Sequence, residues 1–209
     1  MTIELWHCKS ARSLRPLWTL EELLLPYTLH LLDFPPRVTS PAYLEINPLG
    51  TVPYLRDGVL EMTESSAMCL YLATRYGRGD LIVPADHPDY GAFLNWLHHA
   101  DATLTFPQTL LLRYGRFEPE ARRQPQVVED YTRWYLARLR LLNAHLANSE
   151  YLCADRFTVA DIAITYALYL GDKLGLSDRY AEQTMAYLQR LTARPAFQRA
   201  DAQGGVSPF

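Results

Sequence analysis

Cysteine is scarce in this chain: 209 residues carry three, Cys8, Cys69 and Cys153, far apart and odd in number. No two stand as CxxC, so neither a zinc knuckle nor a two-cysteine redox centre has the residues it needs. Widely spaced thiols of this kind are expected in a reducing compartment, where disulfide frameworks do not form. A charge excess is missing as well, with 20 basic residues against 23 acidic ones and a formal net charge of −3. No Lys/Arg run offsets that balance, which excludes the basic footprint of a nucleic-acid binder. No apolar run reaches the roughly 18 residues of a membrane span. Met1 to Cys8 includes Glu4 and lacks a basic start followed by an apolar stretch, so no signal peptide is expected. A soluble, cytoplasmic protein without nucleic-acid or membrane partners is the expectation. Repeats and low-complexity tracts are absent too, and composition excludes collagen-like, mucin-like and coiled-coil chains.

What is present is material for a core: 49% of residues are hydrophobic and 12% aromatic. At about 150 residues per domain, the length allows one large domain or two small ones. The chain changes character near residue 80. Before it, Thr2–His7 and Tyr27–Asp33 read as strands, separated by a helix over Ser13–Leu25 with Leu14, Leu17, Trp18, Leu24 and Leu25 at helical spacing. Val52–Arg56 and Val59–Met62 flank Asp57-Gly58, a strong hairpin signal. A helix follows over Ser65–Tyr76, with Gly77 placed to end it in the left-handed conformation. A strand-helix-strand opening implies a parallel pair, and the hairpin makes the sheet mixed. Beyond a linker with Gly79, Pro84 and Pro88, the rest reads as helices over Asp89–Gly115, Gln126–Ala147, Thr158–Leu174 and Arg179–Ala193, with a short one after Pro195. Pro107 is expected to bend or break the first of these. The expected organisation is an α/β domain over 1–78, a linker over 79–88 and an all-α domain over 89–209.

Three local signals carry chemistry. Straight after the first strand comes Ser10-Ala11-Arg12-Ser13-Leu14-Arg15-Pro16. Pro16 has no N–H and is tolerated only in a first helical turn, so Ser10 and Ser13 lie at or just before a helix N-terminus. Open N–H groups and the helix dipole favour an anion there, and a hydroxyl at that place can lower a thiol's pKa. Ser13 as an ordinary N-cap explains the same pattern. In Gly50-Thr51-Val52-Pro53-Tyr54 a proline leads into a strand, which puts it at an edge or a strand start. A cis bond would turn the Val52 main chain toward a peptide-like ligand; a plain trans edge proline is the alternative. In Glu64-Ser65-Ser66-Ala67, Ser65 is placed to cap the second helix, with its N–H groups open to a carboxylate and Glu64 beside them for an ammonium. A capped helix with a favourable acid in its first turn accounts for it equally.

Taken together, Ser10, Val52-Pro53 and Glu64-Ser65 on this strand order resemble the cytosolic glutathione transferase family, in its bacterial, serine-type, theta/beta-like form. The resemblance spans nearly the whole chain: RSLRPLWTLEELLLPY (12–27), NPLGTVPYL (47–55), TESSAMCLYLATRYG (63–77) and YLCADRFTVADIAI (151–164). It implies a thioredoxin-like N-terminal domain that binds glutathione and an all-α C-terminal helical bundle that completes a pocket for an electrophile. It implies that Ser10 stabilises the glutathione thiolate, with Ser13 and Arg12 in reserve. Val52 would bond the cysteinyl unit, Pro53 would be cis, Glu64 and Ser65 would hold the γ-glutamyl head, and Thr51 and Arg37 would reach the glycyl carboxylate. Asp101 would approach the γ-glutamyl amine from the partner subunit of a homodimer, and Phe106, Leu110 and Tyr114 would line the apolar pocket. The activity implied is glutathione S-conjugation to a small apolar electrophile, the chemistry of detoxification. Glutathione-dependent isomerisation, disulfide reduction and a non-catalytic binding or regulatory role are its rivals.

Some features depart from the family pattern or stand apart from it. No tyrosine lies in the opening turn, and Cys8 precedes the expected position; were Cys8 the reactive group, the chemistry would move toward thiol exchange. LLLPY lacks a glycine usual in that turn. Thr158 and Asp161 form an acidic capping box, with Phe157 and Ile162 as its hydrophobic staple, a structural device. Adjacent His98 and His99 point in different directions on a helix, and His98 with Asp101 supplies only two ligands, so no metal site is expected.

Overall fold

In a computed structural model, which describes residues 2–77, 79–204 and 207, the chain divides into two units: Met1–Ile82 with Leu191–Phe209, and Val83–Arg190. The first unit holds a four-stranded mixed sheet in the order β2-β1-β3-β4. Its strands are β1 (Ile3–His7), β2 (Tyr27–Leu31), β3 (Tyr54–Asp57) and β4 (Leu60–Met62). β1 runs parallel to β2, with Leu5 opposite Leu29, and antiparallel to β3, with Trp6 opposite Tyr54. The β3–β4 hairpin pairs Asp57 with Leu60, so Gly58-Val59 forms its turn, one residue later than the Asp-Gly reading places it. Gly58 has φ 61°, the conformation a glycine-first hairpin turn requires, and Val59 points fully into solvent.

Alternation divides the sheet into two faces. Ile3, Leu5, His7 and Leu55 lie on the face that meets α1 (Leu14–Glu22) and α3 (Ser65–Arg75). On the same face, Asp57 Oδ2 accepts the hydroxyls of Tyr71 (2.8 Å) and Tyr76 (2.5 Å). The opposite face is an aromatic and charged layer, with Trp6 stacked on His30, Arg56 over the Trp6 ring and Glu4 bonded to His30 at 2.8 Å. A short α2 (Pro36–Thr39) lies between β2 and β3 in the chain.

Two expectations about helix ends change. α1 ends in a six-to-one turn: Leu25 N–H donates to Leu20 C=O (3.1 Å) and Leu24 N–H to Glu21 C=O (3.4 Å). Leu24 occupies the left-handed position at φ 52°, so the turn forms without glycine at a strain of about 1 kcal/mol. Gly77 is not left-handed. Its requirement is steric, because a Cβ there would lie 2.3 Å from the Ala73 carbonyl oxygen.

The second unit is helical: α4 (Tyr90–His98), α5 (Phe106–Leu112), α6 (Pro125–Leu146), α7 (Val159–Lys173) and most of α8 (Glu182–Thr192). Between α4 and α5 the helix widens into π turns over His99–Thr105 without breaking. Pro107 is the second residue of α5, directly after these π turns, so the widened segment precedes the one residue that cannot donate an N–H. α7 is buried from Val159 to Gly171 and forms the centre of this unit. Gly171 is required because the Tyr180 hydroxyl would lie 1.9 Å from a Cβ there. At its head the capping box forms: Thr158 Oγ1 accepts the Ala160 N–H, and Asp161 Oδ2 accepts the Thr158 N–H at 2.8 Å.

The division of the chain differs from the 1–78 and 89–209 boundaries. The end of the chain, α9 (Pro195–Asp201), belongs to the first unit because it covers α1. Phe197 sets its ring edge on Trp18, Arg194 makes two bonds to Glu22 (2.6 and 2.9 Å), and Arg199 bonds Glu21 (2.6 Å). Short helices after a linker read as parts of one bundle, and sequence periodicity does not say which partner an apolar face will cover.

Candidate functional site

Strand directions bring the three sequence signals together. β1, β2 and β4 end where β3 begins, as the pairs Trp6–Tyr54 and Leu55–Met62 require. The turn into α1, the loop before β3 and the start of α3 therefore lie at one end of the sheet. Two helices begin there, and their open N–H groups and dipoles favour a negatively charged ligand.

In the opening turn, Ala11 N–H donates to Cys8 C=O (3.1 Å). Ser10 sits inside that turn with φ 60°, and 1% of its surface is exposed. Ser13 stands at the helix boundary, where the sequence puts it, but its hydroxyl turns inward and caps nothing. Ser13 Oγ accepts the Cys8 N–H at 3.3 Å and lies 2.8 Å from His7 Nδ1. Both His7 and Ser13 are fully buried, and this serine–histidine pair braces the turn. Burial, with Lys9 adding to it, lowers the His7 pKa from 6.5 to about 4. Cys8 is buried, and burial followed by Asp33 pushes its thiol up to about 12, which makes it unreactive. Ser10 is the other hydroxyl of this turn, with Arg12 half-buried in the same segment.

A pH dependence follows from His7. The ring is neutral in the folded protein, so stability is fully present above pH 6.5 and is lost as pH falls toward 4. A depression from 6.5 to about 4 corresponds to about 3 kcal/mol. A His7→Asn variant should be less stable than the wild type at pH 7.5, and the gap should narrow by about 3 kcal/mol by pH 4. Urea titrations of both proteins across that range measure it; a constant gap would show that His7 is not held neutral.

The second segment is fixed through one carbonyl. Thr51 C=O accepts from Tyr43 Oη and from Asn47 Nδ2, each at 2.8 Å. Asn47 Oδ1 also accepts the Leu49 N–H at 3.1 Å, and Gly50 takes φ 58° with no room for a Cβ beside Arg37. The Val52-Pro53 peptide is cis. Pro53 is buried, and Val52 packs against the cluster of Trp6, Tyr43 and Tyr54. Pro53 immediately precedes β3, an interior strand, and so takes the strand-start alternative and not the edge. Thr51 and Arg37 are exposed. Tyr43 and Asn47 were not singled out from the sequence, although Asn47-Pro48 before Gly50 carries an evident turn signal.

At the third segment, the N-cap of α3 is Glu64, not Ser65 as the sequence suggests. Glu64 is extended (φ −91°, ψ 113°), exposed, and makes no side-chain cap bond. Ser65 is the first helical residue and is nearly buried, and its Oγ accepts from Arg15 Nη1 at 3.0 Å. Arg15, in the first turn of α1, is fully buried. Local sequence does not reveal this pairing, because its partners are fifty positions apart.

In the helical unit, Asp101 is half-buried in the π-helical turn. Phe106 is 51% exposed, with its ring edge toward Tyr131, while Leu110 and Tyr114 are half-buried. Arg113 lies over the Tyr114 ring. Trp134, stacked on Tyr131, is also exposed, although most aromatics of this half are core. Among the described residues no group of three or more His, Cys, Asp or Glu is placed to hold a metal ion, and no helix is long and apolar enough to cross a membrane.

Comparison with known proteins places this arrangement. Residues 9–75 match the family model for the glutathione S-transferase N-terminal domain, and residues 102–195 that for the C-terminal domain. The glutathione S-transferase GstB of Escherichia coli is 32% identical over 204 residues, covering 94% of this chain and 96% of that protein. Glutathione S-transferase 3 of Schizosaccharomyces pombe is 28% identical over 204 residues, covering 93% of this chain and 84% of that protein. A solved glutathione transferase from Methylococcus capsulatus superposes with a TM-score of 0.82 at 26% identity, over 96% of this chain and 97% of that one. The glutathione transferase URE2P8 from Phanerochaete chrysosporium, solved with oxidized glutathione, shares the fold with a TM-score of 0.83 at 23% identity, over 95% of this chain and 93% of that one. The chain belongs to the glutathione S-transferase family.

Proposed function

We propose that the protein is a glutathione transferase of serine type. The observation that carries this reading is the start of α3, where exposed Glu64 stands beside Ser65 at an open helix end. A carboxylate and an ammonium on one carbon need this combination: N–H donors for one and an acid for the other. The γ-glutamyl head of glutathione has both. Val52, in a loop tied down at the Thr51 carbonyl, pairs with the cysteinyl main chain. Thr51 and Arg37, both exposed, reach the glycyl carboxylate.

The sulfur then comes to the start of α1. Ser10 donates its hydroxyl proton as a hydrogen bond to the sulfur, and the helix N-terminus adds its dipole. Both favour the thiolate over the thiol and so raise the nucleophile's population at neutral pH. The thiolate attacks an electrophilic carbon of an apolar substrate, whose leaving group departs with the electron pair. Phe106, Leu110 and Tyr114 take up that substrate. Thiol exchange through the protein's own cysteine is disfavoured, since Cys8 is buried with its pKa pushed up to about 12. Asp101 of one subunit approaches the γ-glutamyl amine of the other in a homodimer, and the protein acts in the cytoplasm.

Calorimetric titration with reduced glutathione tests the site. Saturable binding is expected in the wild type, about tenfold weaker in Glu64→Ala, where a charge-assisted bond to the ammonium is lost. No binding at millimolar glutathione would overturn the reading and favour a non-catalytic scaffold.

A further inference from the structure

Arg15 is absent from every expectation drawn from the sequence. It lies in α1, is fully buried, and its guanidinium donates to the hydroxyl of Ser65 at the head of α3. An arginine is almost never fully buried without a specific task for its charge. A guanidinium has donors only and keeps its charge at any accessible pH. Ser65 Oγ therefore serves as acceptor on its inner side. A hydroxyl has a single proton, and with the guanidinium in front of its lone pair that proton points away from Arg15.

We propose that Arg15 is a positioning residue that fixes the polarity of the ligand site at α3. It turns Ser65 into a donor facing the open helix end, so the group bound there is an acceptor-rich anion and not an ammonium. The inference rests on the glutathione reading and deepens it: the α-carboxylate of the γ-glutamyl head goes to Ser65, and the ammonium goes to Glu64. The buried positive charge also adds to the positive end of the α3 dipole, so carboxylate binding draws on two fields of the same sign. Arg15 itself makes no contact with the ligand.

The test compares two ligands: reduced glutathione, and 4-aminobutanoyl-cysteinyl-glycine, which keeps the amine and lacks the α-carboxylate. Arg15→Met keeps volume and removes the donor. It should weaken glutathione about tenfold, the scale of a hydrogen bond to a charged group, and the decarboxylated peptide less than about twofold. The loss should not add to that of Ser65→Ala in the double variant, because both remove one bond system. Arg15→Lys, which keeps the charge, should recover part of the glutathione affinity. Equal loss on both ligands, or full additivity with Ser65→Ala, would overturn the proposal and leave Arg15 a packing residue. Ser65→Ala alone carries the comparison if the Arg15 variants do not fold: a loss of about tenfold confined to glutathione is expected, and an equal loss on both peptides refutes the assigned polarity. Failure of the wild type to bind glutathione at all refutes the parent reading instead, so the two failures are distinct.

Discussion

Replacing Ser10 with alanine should lower kcat at pH 7 by about 25-fold while changing glutathione affinity by less than about fivefold. The argument is one of populations. A free thiol has a pKa near 8.5, so only a few per cent is thiolate at pH 7. Lowering it by about two pH units makes thiolate the major form, and loss of the responsible donor returns the bound sulfur to its free behaviour. The deficit should therefore shrink as pH rises toward 9, where the thiol ionises without help. Ser10 is almost fully enclosed, in a medium where a hydrogen bond to an anion counts for more than in water. A second variant removes an ambiguity. Ser10 is left-handed at φ 60°, a backbone strain that alanine keeps and glycine relieves. Ser10→Gly should match Ser10→Ala in turnover and retain more stability. Steady-state kinetics from pH 6 to 9 measures both, and unchanged turnover in the two variants would remove Ser10 from the mechanism.

The largest effect on stability is expected at Asp161. Its carboxylate is fully buried and satisfies four donors: Thr158 N–H (2.8 Å), Thr158 Oγ1 (3.0 Å), Leu152 N–H (3.2 Å) and Tyr187 Oη (2.8 Å). Asp161→Ala leaves all four unmatched in a dry core and should cost about 4 kcal/mol or more, a large share of a domain's stability. Its pH behaviour is unusual for a hydrogen-bonded acid. Burial outweighs the four donors and raises the pKa from 3.8 to about 6. The charged form is thus disfavoured in the folded state, and stability from this group falls as pH rises from 4 to 6 and stays low above that. The direction is opposite to that of His7. Denaturant titration of Asp161→Ala should therefore show its smallest difference from the wild type at neutral pH and a larger one near pH 4. A difference below about 1 kcal/mol at pH 7 would mean that the core relaxes around the lost group.

Local chemistry was what the sequence made legible. The succession of strands and helices and the mixed character of the sheet followed from periodicity and one hairpin signal, although the turn fell on Gly58-Val59. The capping box at Thr158 and Asp161 could be read directly because all its partners lie within a few residues. The three candidate segments stood out as motifs, and the directions of four short strands gather them at one end of the sheet. What could not be read is what depends on distant partners. Ser13 reads as a cap until His7 is known to lie 2.8 Å away. Ser65 reads as a cap until Arg15 arrives from another helix. Tyr43 and Asn47 are ordinary residues of a connecting segment until they converge on the Thr51 carbonyl. Phe106, given as pocket lining from its spacing of about one turn to Leu110, is 51% exposed, and a helical repeat sets which residues share a face and not what covers that face.

The packing of α9 on α1 constrains how the protein is made. The sheet and its first helix emerge early from a ribosome that synthesises about 5–20 residues per second. The ring of Phe197 and the guanidinium groups of Arg194 and Arg199, which close over Trp18, Glu21 and Glu22, emerge more than 170 residues later. During that interval, of roughly ten seconds or more, the outer side of α1 has no cover. The unit that carries the sheet therefore finishes folding after the helical unit encoded between its two parts, and a nascent chain stalled near residue 190 would present an exposed tryptophan to chaperones.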